Sequence, residues 1–130
     1  LNFETRSRDK AKLDALTQRM VDSVNAALDG TGCRAEIHIK KDYDPYELSP
    51  DALPIQYLCR AAEKLGFSVL LEEEGGGSDA NHFNSYGVPT TVLGVGMTDC
   101  HTKDESIRER DLYEAAELTL AIVREIAEKG

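Results

Sequence analysis

The sequence predicts an α/β protein: a strand–helix–strand segment, followed by a mixed or parallel β-sheet segment flanked by helices. Two patterns support this prediction. Apolar residues recur every three or four positions in several stretches, which indicates helices. The short stretches between them either alternate apolar with polar residues or are apolar throughout, which indicates strands. Strands that alternate with helices favour at least some parallel pairing.

The strand–helix–strand segment occupies the first forty or so residues. Residues 1–6 and 33–41 alternate in polarity, and each is predicted to form a half-buried strand. Between them, 9–28 carries one apolar stripe and is predicted as a helix, with Gly30 placed where a helix must end. The next stretch, 42–51, contains two prolines and no periodicity, so we place a domain boundary there.

The rest of the chain contains three more predicted helices and two apolar strands. One helix runs to Leu65 before Gly66, a short one covers 78–86, and a last one follows the loop that ends at Glu109. The predicted strands are 67–71 and 90–95. The apolar face predicted for the last helix comprises Leu112, Ala115, Ala116, Thr119, Val123 and Ile126.

Composition excludes several classes of partner. Of the 130 residues, 24 are acidic and 15 basic, which gives a net charge of −9 without any basic run. Nucleic acid and anionic membrane surfaces require clustered Lys and Arg, so neither is expected as a partner. No apolar stretch approaches the ~20 residues that cross a bilayer. Three cysteines without CxxC spacing predict a reducing, cytoplasmic location. The start at Leu1 suggests a piece of a longer protein.

A glycine run before the short helix is the first candidate site. Gly75, Gly76 and Gly77 precede Ser78 and lie between a predicted strand and a predicted helix. Glycines permit positive φ and close approach of a ligand, and the helix N-terminus suits a phosphate or carboxylate. A flexible turn before a capped helix explains the same residues equally well.

Two further candidates are a histidine after a strand and a pair of strand residues. His101 follows the strand 90–95 among carboxylates, which suits a metal ligand or a base, although a solvated loop histidine has the same pattern. Arg6 and His38 fall on the polar sides of their strands. Arg6 can bind a carboxylate bidentately, but a solvated sheet face is the alternative.

The order of these motifs resembles the end of an M20-family metallopeptidase, and within that family the peptidase T-like, tripeptidase-like branch. The motifs are 75–81, 87–90, 94–96, and His101 with Glu105. In addition, residues 4–9 and the helix after them resemble the returning segment of the lid, or dimerisation, domain. The resemblance implies a partial lid domain at 1–43 and the C-terminal part of the catalytic domain at 44–130.

The resemblance also implies a function and roles for individual residues. It implies a two-metal, zinc-type exopeptidase that hydrolyses short peptides from the N-terminus and forms a homo-oligomer through the lid. His101 matches a metal ligand, Arg6 matches the lid arginine that contacts the substrate carboxylate, and Gly76, Gly77 and Ser78 match the loop beside the substrate. Asn81, His82 and His38 receive no role.

One departure from the family pattern leaves other functions open. The upstream HxD segment, the bridging aspartate and the Glu-Glu pair are absent from these 130 residues. The chain alone is therefore expected to be inactive, since a catalytic zinc site needs about three protein ligands. The alternatives are a non-catalytic oligomerisation or small-acid-binding module, and part of an M20 amidohydrolase that acts on acylated amino acids.

Overall fold

The computed structural model describes residues 1–129, and its regular structure consists of four helices. They are α1 (Lys10–Leu28), α2 (Leu53–Leu65), α3 (Asp79–Ser85) and α4 (Glu109–Lys129). All four lie where the periodicity and end signals predict them. The chain divides into two compact units: unit 1 holds 1–47 and 73–87, and unit 2 holds 48–72 and the chain from residue 88 onward. The assignment of 1–43 and 44–130 to two domains of a larger enzyme stays a prediction.

Local signals explain where the helices begin and end. The Asp9 carboxylate accepts the Lys12 N–H at 3.0 Å and so caps α1. Pro54 lies in the first turn of α2, where its missing N–H costs nothing. Gly66 ends that helix in the left-handed region, at φ 72°, and its N–H bonds to the Glu63 carbonyl. None of the helices in residues 1–129 is both long and apolar enough to cross a membrane.

The predicted fold class is wrong for the described residues, which are mostly helical. Helices account for 46% of the chain, strand for only 2%, and no sheet is present in residues 1–129. The stretches predicted as strands, 1–6, 33–41, 67–71 and 90–95, have no regular secondary structure. Ile39, Leu70 and Val92 within them are 65%, 77% and 58% exposed. Alternation shows which side of a strand is apolar, but a sheet also requires a neighbouring backbone to bond with, and no described segment supplies one.

In unit 2, α2 packs against α4. The buried residues of α2 are Ile55, Leu58, Ala61 and Ala62. On α4 the covered side carries Leu118, Ala121, Ile122 and Glu125. The face predicted for α4 is therefore wrong: its members Leu112 and Val123 are 56% and 57% exposed. Apolar residues occur on both sides of this helix, so the apolar pattern alone does not identify the side that packs.

A buried carboxylate determines which side of α4 is covered. The Glu125 side chain is 0% exposed, and it accepts hydrogen bonds from Arg60 Nε at 2.7 Å and Lys64 Nζ at 2.5 Å. Both cations lie on α2, one turn apart. A carboxylate loses its hydration on burial, so it needs such partners. The hydrogen bond to Glu125 is the main cause that raises the pKa of Lys64, and a second one to Glu128 adds to it.

We expect Glu125→Ala to lower the free energy of unfolding by about 2 kcal/mol, because two charge-assisted hydrogen bonds between α2 and α4 disappear. Glu128→Ala is the matched control. Its carboxylate contacts Lys64 at 3.2 Å but is 64% exposed, so its loss is expected to cost less than about 0.5 kcal/mol. Urea denaturation followed by circular dichroism measures both variants. An equal loss of unfolding free energy in the two variants would show that the buried contacts of Glu125 are no more important than the exposed contact of Glu128.

Candidate functional site

The glycine run leads directly into the capped start of α3, in unit 1. The Ser78 hydroxyl accepts the Ala80 N–H at 3.3 Å, and the Asn81 side-chain oxygen accepts the Ser78 N–H at 3.0 Å. The backbone N–H of Asn81 also points to the Ser78 hydroxyl, and this contact and the bond to the Asn81 side chain form a capping box. The Ser78 oxygen is thus engaged as an acceptor, but its hydroxyl proton can still be donated to a ligand.

Asn81 joins this loop to a distant part of the chain. It is 6% exposed, and its side-chain amide donates to the Asp44 carbonyl at 2.8 Å. The Asp44 carboxylate in turn accepts from Lys41 Nζ at 2.8 Å. That hydrogen bond lowers the pKa of Asp44, and the charge of Lys10 lowers it further. Residues 41–44 are therefore fixed against the first turn of α3.

The Tyr43 ring packs on the last glycine of the run. A Cβ atom added at Gly77 would overlap Cζ and Oη of Tyr43, whereas Gly75 and Gly76 face open space. None of these three glycines has a positive φ. A side chain at position 77 would thus have to displace the ring of Tyr43. Tyr43 also meets His82 edge to face, with ring centroids 6.2 Å apart.

Arg6 is an exposed cation that contacts a neighbouring carboxylate. Its Nε donates to the Glu4 carboxylate. This bond and the charge of Glu4 raise the pKa of Arg6, and Tyr43 raises it further. The contact uses Nε, so the two Nη groups are the donors that a ligand carboxylate would meet. His38 pairs with Glu36 at 3.0 Å and is exposed, as the solvated alternative predicts.

His101 lies in unit 2, on a loop closed by backbone hydrogen bonds. Thr98 and Ser106 form an antiparallel bridge, with N–H···O distances of 2.9 and 3.2 Å. Within the loop Asp99 and His101 adopt left-handed backbone conformations, with φ of 53° and 67°. His101 is exposed. It can therefore reach a ligand or metal from a loop whose base is fixed.

The structure brings together some of the predicted site residues. Arg6, Gly76, Gly77 and Ser78 all belong to unit 1, and within that unit Tyr43 contacts Gly77. His101 belongs to unit 2. The sequence reasoning missed Tyr43 and the role of Asn81. Asn81 stands at the capping-box position three residues after Ser78, but Asn is not the Glu or Gln of the usual signature, and its contact with Asp44 spans 37 residues. No sequence pattern marks Tyr43.

A resident metal does not fit the described residues by themselves. No group of three or more His, Cys, Asp or Glu side chains in residues 1–129 is placed to hold a metal ion. A catalytic zinc ion requires about three protein ligands and one open position. The described residues bring together no such set of ligands.

Comparison with known proteins defines the family of this chain. The chain belongs to Peptidase family M20/M25/M40, because the model of that family matches residues 5–125. It is 35% identical over 124 residues to the uncharacterized protein YqjE of Bacillus subtilis (strain 168), an alignment that covers 95% of this chain and 33% of the relative. The chain thus spans about one third of that relative's length.

Two solved structures confirm the resemblance to the peptidase T-like branch. Aminopeptidase PepT from Bacillus cereus ATCC 10987 is 32% identical with a TM-score of 0.75, over 92% of this chain and 32% of that one. A tripeptidase from Staphylococcus aureus subsp. aureus Mu50 is 26% identical with a TM-score of 0.84, over 95% and 33%. M20 peptidases are generally metal-dependent.

We expect Gly77→Ala to destabilise the chain by about 1–3 kcal/mol, since the new methyl group must displace the Tyr43 ring. Gly76→Ala is the control: the methyl group enters open space, and the change is expected to stay within about 0.5 kcal/mol. Thermal unfolding compares the two variants. In Tyr43→Ala/Gly77→Ala the combined loss should be smaller than the sum of the single losses. An additive result would show that the ring does not restrict position 77.

Proposed function

We propose that the chain is the C-terminal portion of a metal-dependent exopeptidase that hydrolyses short peptides from the N-terminus. The observation that carries this proposal is the family match at residues 5–125, together with a tripeptidase that superposes over 95% of the chain. Bound in the longer enzyme, two zinc-type ions would supply an activated water for hydrolysis. His101 contributes one ligand. The exposed thiols of Cys33 and Cys100 support the cytoplasm as its location.

The residues of unit 1 bind and orient the peptide in this proposal. The Arg6 guanidinium, which contacts Glu4 through its Nε, pairs with the substrate carboxylate through its Nη groups. The loop of Gly76, Gly77 and Ser78 lies along the peptide. Tyr43 and Asn81 hold that loop in place, because one packs on Gly77 and the other ties α3 to Asp44. The exposed apolar side chains of Leu1, Phe3, Ile37 and Ile39 support association with a second copy.

A non-catalytic association module is the second candidate function. The same exposed apolar residues of unit 1 favour it, and so does the lack of a complete metal-donor set in residues 1–129. This candidate predicts that the full-length protein has no hydrolase activity. It also predicts that the protein forms a discrete oligomer, which light scattering would measure.

The purified 130-residue chain is expected to show no turnover of tripeptides, with or without zinc, cobalt or manganese, because it brings together too few metal ligands. The longer protein is expected to hydrolyse the same peptides. This expectation would be contradicted if the short chain showed metal-dependent turnover, if that activity co-eluted with the chain, and if it disappeared in His101→Ala. Hydrolysis of acylated amino acids instead of tripeptides by the longer protein would favour the amidohydrolase alternative.

In the longer enzyme we expect His101→Ala to lose bound metal and to reduce turnover by orders of magnitude, because a metal ion has few ligands. His82→Ala and His38→Ala are the matched controls. His82 is engaged with Tyr43 and His38 with Glu36, so each is expected to cost no more than about 10–100-fold. Metal analysis and peptide hydrolysis are measured on each variant. Full metal content and a near-normal rate in His101→Ala would show that the assignment of this residue is wrong.

A further inference from the structure

The loop that carries His101 is held at its base and at its first turn. The backbones of Thr98 and Ser106 bond to each other in both directions, and their hydroxyl oxygens are 3.1 Å apart. Inside the loop, the Asp99 carbonyl accepts the Thr102 N–H at 3.1 Å and the Thr102 hydroxyl at 2.7 Å. These contacts fix the ends of the loop and the backbone at Asp99. They do not involve the amide of His101.

The backbone of His101 requires a restraint of its own. Its φ of 67° is in the left-handed region, which is unfavourable for a residue with a Cβ atom. Because φ sets the direction of the Cα–Cβ bond, a return to the ordinary region would turn the imidazole away from its present direction. A histidine in this conformation is useful as a ligand only if the conformation is maintained.

The Glu105 carboxylate provides this restraint. Its Oε2 accepts the His101 N–H at 2.6 Å, four residues back along the chain. The acceptor is charged, and hydrogen bonds to charged acceptors are about twice as strong as neutral ones. We propose that Glu105 is a positioning residue: its carboxylate holds the backbone of His101 in the left-handed conformation and so sets the direction of the imidazole. This rests on the proposed function insofar as His101 is taken to be the residue that acts.

The first arm of the test measures the loop itself in the 130-residue chain, without metal. Three variants are compared: Glu105→Ala, Glu105→Gln and Asp104→Ala. Amide hydrogen exchange of His101, followed by NMR, is expected to accelerate about tenfold or more in Glu105→Ala, since a charge-assisted bond is lost. Glu105→Gln keeps an acceptor oxygen and should recover most of the protection. Asp104→Ala removes the same charge one residue away and should leave exchange unchanged.

The second arm measures the reaction in the longer enzyme. Glu105→Ala should lower kcat more than it raises KM, and Glu105→Gln should restore most of kcat. In the double variant His101→Ala/Glu105→Ala, loss of Glu105 should add nothing to the loss of His101, because it acts through that residue.

The outcomes separate this inference from the proposed function. Unchanged His101 exchange in Glu105→Ala, or additive losses in the double variant, would overturn the positioning role. A normal rate in His101→Ala alone would overturn the proposed role of His101, whatever the exchange data show.

Discussion

A carboxylate without any solvent exposure governs the arrangement of unit 2. Removing Glu125 from water costs several kcal/mol unless cations compensate it, and α2 offers two of them one turn apart, Arg60 and Lys64. This requirement fixes the rotation of α4 about its own axis. Leu118, Ala121 and Ile122 then face the covered side, whereas Val123 remains exposed. The loop with His101 precedes α4 directly, so the helix pair also anchors one end of the segment on which the proposed chemistry depends.

The helices were predictable and the strands were not, for a physical reason. A helix is bonded within itself, so signals such as Asp9 before α1 and Gly66 after α2 act within four residues of their targets. A strand is completed by a backbone elsewhere. The alternation in residues 33–41 contains no information about whether that backbone is present. The prediction of the buried face of α4 was wrong for the same reason. That face depends on the contact of Arg60 with Glu125, which spans 65 residues.

The candidate site shows a similar division between local and distant information. The resemblance to the M20 family, which is confirmed, predicted Arg6, the loop 76–78 and His101 as site residues. The contacts that hold these residues in place came only from the structure. Tyr43 lies in an irregular stretch with no motif, yet its ring occupies the space that a Cβ atom at position 77 would need. Residues with proposed chemical roles lie in sequence motifs of the family. The residues that support them are identified only by their contacts in the folded chain.

Unit 1 is discontinuous in sequence, and the hydrogen bond from Asn81 to the Asp44 carbonyl is one of the contacts that join its two segments. The chain leaves this unit after Glu47, contributes α2 to unit 2, and returns at Glu73, where the carboxylate pairs with Arg8 at 2.5 Å. After a single cut within 48–72, the contacts of Asn81 with Asp44 and of Gly77 with Tyr43 would be links between the glycine loop and the N-terminal segment. For the same reason, recombination could not transfer the loop to another protein as a single contiguous block without losing the residues that give it its shape.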